Sequence, residues 1–135
     1  MAVARYVVDC EVLLRIAAGE IEVATGHQLL APTLVRSQAL ATMYEAARRG
    51  ELPAAEGRAR VKQINSLKVR FLGDKVLQAT AWEIAEQLGW ETTATAEYVA
   101  LTRLQADALV TADDDLARAV AGIVRTAPVA ALSTA

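Results

Sequence analysis

The stretch Ala108-Leu109-Val110-Thr111-Ala112-Asp113-Asp114-Asp115-Leu116 decides the fold. It reads as a short apolar strand that runs out into three consecutive carboxylates and then directly into a helix. Adjacent like charges repel, so such a run either serves a site or stays fully solvated. Tyr6-Val7-Val8-Asp9-Cys10-Glu11 repeats the grammar near the start of the chain: a buried strand, an acid at its carboxyl end, then a helix. In an open parallel α/β sheet, ligands bind beyond the carboxyl ends of the strands, where the strand order reverses. Two strand-end acids from distant parts of the chain therefore predict one shared cleft, suited to a divalent metal.

Working outward, Val3 to Val8 is the first strand. Asp9 to Ala18 follows as a helix with apolar residues at 12, 13, 16 and 17, closed by Gly19. A short helix is expected over Glu20 to Thr25, and a brief strand over Gln28 to Ala31, stopped by Pro32. Pro32-Thr33 opens a long helix reaching Arg49. A helix over Ala54 to Asn65 precedes a strand at Lys68 to Leu72. Asp74 caps a helix from Lys75 to Leu88, which Gly89 closes. Thr93 to Gln105 is helical, Leu109 to Thr111 is the strand already quoted, and Asp114 to Ala121 is a helix. Ile123 to Thr126 is the last strand before Pro128. Strands alternating with helices predict an α/β fold: a three-layer α/β/α sandwich on a parallel sheet of about five strands.

Composition narrows the chemistry. At 135 residues with 54% apolar side chains, the chain is one domain, residues 1–135, with a real core. A net charge of −2 gives no global attraction to nucleic acid, so a polyanion must be met by a local patch. Cys10 is the one cysteine and His27 the one histidine, which excludes an intrachain disulfide and a thiolate zinc cage and argues against a Cys-His catalytic pair or a His-rich metal site. No apolar run approaches the ~20 residues of a membrane span, and acids interrupt any leader pattern. A cytoplasmic protein without a membrane partner is the expectation.

Four motifs, in order, carry a resemblance over essentially the full length: Val7-Val8-Asp9 with Val12-Leu13-Leu14; Leu30-Ala31-Pro32-Thr33-Leu34-Val35-Arg36-Ser37; Ala96-Glu97-Tyr98-Val99-Ala100-Leu101; and Leu109-Val110-Thr111-Ala112-Asp113. Together they resemble the PIN domain, and within it the VapC-type toxins of toxin-antitoxin pairs. The resemblance implies a sheet of order 3-2-1-4-5. It also implies a Mg²⁺- or Mn²⁺-dependent ribonuclease that cleaves RNA phosphodiesters, forms a homodimer and pairs with a small antitoxin protein.

The family site places acids at four points. The first falls on Asp9 and the fourth on Asp113, with Thr111 matching the hydroxyl residue before it. At the second and third points this chain carries Gln38 and Thr95 instead. Mg²⁺ is held through carboxylates, waters and substrate phosphates, and two ions ~4 Å apart need several negative ligands. With Asp9 and Asp113 alone, one weakly held ion is expected. Glu11 and Asp115 are the residues that can assist, although each also suits the acid-favouring first turn of its helix. Glu97 is no stand-in for position 95, being ~200° around the helix. Cys10 reads as a small buried thiol, His27 as a loop residue, and Trp82 and Trp90 as packing residues. Arg48, Arg49, Arg58, Arg60, Lys62, Lys68 and Arg70 form a basic span that suits RNA phosphates, a partner protein or plain solvent. Two functions follow: a metal-dependent endoribonuclease of weakened activity, or an inactive PIN-fold protein that binds antitoxin or RNA. A haloacid-dehalogenase-like phosphatase ranks third, because Asp9-Cys10-Glu11 lacks that motif's second acid.

Overall fold

The apolar strands build the molecule from its centre outward. The computed structural model describes residues 4–135. Val7, Val8, Leu30, Ala31, Leu109 and Val110 are at most 1% exposed, as strands covered on both faces must be. They belong to β1 (Arg5–Val8), β2 (Gln28–Pro32) and β4 (Ala108–Val110). With β3 (Val69–Leu72) and β5 (Thr126–Ala127), these form one five-stranded parallel sheet in the order β3-β2-β1-β4-β5. Val8 pairs with Val110, so the acids that follow β1 and β4 emerge from adjacent strand ends.

Helices cover both faces. α1 (Cys10–Ala17), α2 (Leu34–Arg48) and α3 (Ala54–Ser66) pack on one another. α4 (Lys75–Leu88) packs on α5 (Ala94–Gln105), and α5 lies along β1, β2 and β4. A short α6 (Asp114–Ala119) follows β4. The result is the expected three-layer α/β/α sandwich. Local signals behave as their chemistry dictates. Asp74 caps α4 by accepting the Leu77 N–H at 2.8 Å, and Gly89 ends that helix in the left-handed conformation, φ 70°. No helix among the described residues is long and apolar enough to cross a membrane.

Four expectations need correction. Residues 20–25 form no helix. That loop is tied instead to the 3-10 turn Val129–Ser133: Ala24 N–H donates to Leu132 O at 2.7 Å, and Ser133 Oγ donates to Glu22 O at 2.6 Å. The last strand is Thr126–Ala127 rather than 123–126, because Ile123 and Val124 N–H groups turn back to Val120 O. Pro32 ends β2 inside the strand rather than stopping it beforehand. Trp82 is 66% exposed, since the buried face of α4 is Leu77, Ala81, Ile84 and Ala85. Trp90 does pack against the core. Val3, expected to open the first strand, lies outside the described residues.

His27 fastens the carboxy-terminal segment to the sheet. Its Nδ1 accepts the Ala4 N–H at 3.2 Å, so Nε2 carries the ring hydrogen and donates to Thr134 O, 2.6 Å away. Tyr6 meets the ring edge-on at 5.2 Å. His27→Ala is expected to destabilise the fold by about 1–2 kcal/mol, the worth of two hydrogen bonds and one aromatic contact. In urea titration this reads as a lower midpoint at unchanged slope.

Candidate functional site

Asp9 and Asp113 occupy equivalent positions: each leaves a strand and caps the next helix. Asp9 Oδ1 accepts the Val12 N–H at 2.9 Å, and Asp113 Oδ1 accepts the Leu116 N–H at 3.1 Å. Each carboxylate thus spends one oxygen on its own helix. Thr111 joins the two. Its hydroxyl accepts the Asp113 N–H at 3.0 Å and stands close enough to the Asp9 carboxyl to pull its pKa down. A threonine just before the acid is therefore a clip between two strand ends.

The cleft above these ends has a volume of about 440 Å³ and is lined by Asp9, Cys10, Glu11, Gln38, Ala41, Thr42, Thr95, Tyr98, Asp113 and Leu116. Gln38, Thr95 and Glu11 therefore share the cleft with both acids. Asp115 does not line it. Its side chain is 90% exposed and pairs with Arg118 one turn along α6, so its expected assistance at the site is withdrawn. Glu97, set aside on helical spacing, also lies off the cleft wall.

Asp9 is the most buried of the three acids that line the cleft. Burial pushes its carboxyl above the usual range, the Val12 and Thr111 hydrogen bonds pull it back, and the negative charges of Glu11 and Asp113 raise it further. The Cys10 thiol is also raised, mainly by burial, with a hydrogen bond to Thr42 opposing. It stays protonated, and no imidazole lines the cleft to activate it.

Tyr98 was legible as part of a motif but not as a site residue. It is 4% exposed, and burial drives its phenol well above its ordinary range, so it keeps its hydrogen. It donates that hydrogen to Gln38 Oε1, joining α5 to α2 across the cleft. Helical spacing carried the signal: Tyr98 follows Thr95 by three residues, as Thr42 follows Gln38 by four, and such pairs share a face.

Among the described residues, no three His, Cys, Asp or Glu side chains converge to hold a metal ion. The donor set is the two helix-capping carboxylates Asp9 and Asp113, the exposed Glu11, and a Gln38 oxygen already bonded to Tyr98. Such a set suits at most one hydrated divalent cation and does not fit a pair of ions.

No known family profile matches the chain, and no curated protein matches it. The fold does have a solved counterpart. The crystal structure of PAE2754 from Pyrobaculum aerophilum superposes with a TM-score of 0.72, covering 98% of this chain and 93% of that one at 23% identity. That likeness speaks to the fold.

Proposed function

We propose that this chain is a PIN-domain protein of the VapC type: a cytoplasmic ribonuclease scaffold that dimerises and pairs with a small antitoxin protein. Its cleft cleaves RNA phosphodiesters weakly, with one loosely held Mg²⁺ or Mn²⁺. The observation that supports this best is the meeting of Asp9 and Asp113 at adjacent parallel strand ends, clipped by Thr111, in a cleft with Gln38 and Thr95. When bound, such an ion neutralises phosphate charge and lowers the pKa of an attacking water. The chain's own residues do the rest. Asp9 and Asp113 present their carboxylates, Thr111 braces the Asp113 backbone beside Asp9, and Gln38 and Thr95 offer neutral hydrogen bonds to the RNA strand.

A second reading, a PIN-fold binding protein without chemistry, is favoured by one specific contact. Gln38 Oε1 is taken by Tyr98, so the position where the resembled family has Glu contributes neither charge nor an unshared oxygen.

Incubation with a structured RNA in Mn²⁺ tests the choice. The ribonuclease reading expects slow cleavage that Asp9→Asn and Asp113→Asn both abolish. Glu11→Ser is expected to cost roughly tenfold, as a supporting group at a metal site does. Complete loss in Glu11→Ser would instead make Glu11 the replacement for the missing acid. An unmodified chain no faster than Asp9→Asn points to the binding protein.

A further inference from the structure

The carboxyl edge of the sheet carries a second feature, two strands away from Asp9. We propose that Arg36, stacked on Phe71, binds a phosphate of the RNA strand flanking the one that lies over Asp9 and Asp113; this rests on the ribonuclease reading above. Phe71 lies on β3, in register with Ala31 of β2, and Arg36 lies in the first turn of α2, the helix that leaves β2. The guanidinium carbon sits 4.2 Å from the ring centroid. Phe71 is packed against the core, so the cation rests on a fixed base.

Three observations carry the assignment. First, the cleft is lined by Asp9, Glu11 and Asp113, which repel a phosphodiester, and the chain as a whole is negative. A strand of RNA entering there needs a cation on the same edge. Adjacent strands are ~4.8 Å apart, which sets β3 about 10 Å from β1, a span that a short single-stranded stretch covers. Second, Arg36 is exposed and forms no ion pair among the described residues. Asp74, the acid that follows β3, uses its carboxylate to cap α4. Third, helix stability does not account for the residue. The first turn of α2 contains no acid, and a cation there opposes the helix dipole.

The side chain suits the task. A guanidinium can lie flat on an aromatic ring and still point its N–H fork edge-on at a phosphate, which a lysine ammonium cannot do.

The test is fluorescence anisotropy with a single-stranded RNA oligonucleotide, the full chain and chelator, titrated with KCl. Arg36→Met keeps the apolar stem on Phe71 and removes the charge. It is expected to weaken binding about tenfold and to lower the slope of log affinity against log salt by about 0.7, one phosphate contact on a single strand. Arg36→Lys keeps the charge and is expected to retain that slope. Melting temperatures are recorded alongside. An Arg36→Met chain that melts lower but binds RNA with unchanged affinity and slope makes Arg36 a cover for Phe71 and overturns the proposal. If the unmodified chain cleaves RNA and Arg36→Met changes nothing, only the Arg36 assignment falls. If the unmodified chain binds RNA through Arg36 but never cleaves it, the assignment stands and the ribonuclease reading falls. No RNA binding by the unmodified chain ends both.

Discussion

Changing Gln38→Glu and Thr95→Asp together is expected to tighten Mn²⁺ binding about a hundredfold and to raise RNA cleavage well above that of the unmodified chain. Both positions line the cleft with Asp9 and Asp113, so each new carboxylate faces the same volume. An added acid near a divalent cation is worth about 1.4 kcal/mol, or tenfold, after generous screening. Tyr98 already donates to the side-chain oxygen at position 38, and it can hold a carboxylate oxygen in the same way. The cost falls on the metal-free protein. Asp9 is already raised by burial and by two neighbouring charges, and two further acids repel it more. In chelator the double variant should melt several degrees lower than the unmodified chain, and Mn²⁺ should restore the loss by binding the folded state. Calorimetric titration and thermal scans with and without chelator check both halves. Unchanged affinity in a folded double variant would show that positions 38 and 95 do not face the ion.

Asp9→Asn should abolish cleavage and, in the absence of metal, make the protein more stable. The sign follows from linkage. The Asp9 carboxyl has a higher pKa folded than unfolded, so the folded state binds the extra proton between those two values. Stability from this group is therefore greatest below the unfolded value near 3.8 and declines as pH rises through the folded one. Above that window the buried charge is a full penalty, and asparagine removes it. Asparagine also caps helices well, so the Val12 N–H keeps an acceptor. The expected gain at neutral pH is about 0.5–2 kcal/mol, the scale of a typical stabilising substitution. Urea titrations from acid to neutral pH should show the advantage of Asp9→Asn shrinking as pH falls. A variant that is less stable at neutral pH would mean that the Thr111 and Val12 hydrogen bonds outweigh burial.

What the sequence disclosed was what depends on neighbours in the chain. Val8 before Asp9 and Val110 before Asp113 marked buried parallel strands ending in acids, and their alternation with helices sufficed for sheet order once the family resemblance was added. Asp74 and Gly89 announced the limits of α4 because caps act within one turn. The failures have two causes, a distant partner in one case and a competing local turn or ion pair in the others. Residues 20–25 have helix-compatible composition, yet their backbone is bonded to residues 132 and 133. The expected last strand carried Ile123 and Val124, but a turn at Val120 claims their N–H groups. Asp115, which the sequence offered only as an assisting residue, is exposed and pairs with Arg118 three residues on. At the site, sequence located Gln38 and Thr95 but not the bond from the Tyr98 phenol to Gln38, since helical spacing puts Tyr98 on the Thr95 face without naming its partner on α2.

The central position of β1 has a consequence for biosynthesis. Arg5 and Asp107, which bond across the β1–β4 ladder, are 102 residues apart in the chain. Strands β2 and β3 emerge from the ribosome early and can cover one side of β1. Its other side, Tyr6-Val7-Val8, keeps its N–H and C=O groups unpaired until Ala108–Val110 arrive. A nascent or truncated chain ending before residue 108 thus presents an apolar strand edge, the kind of template on which chains aggregate and chaperones act.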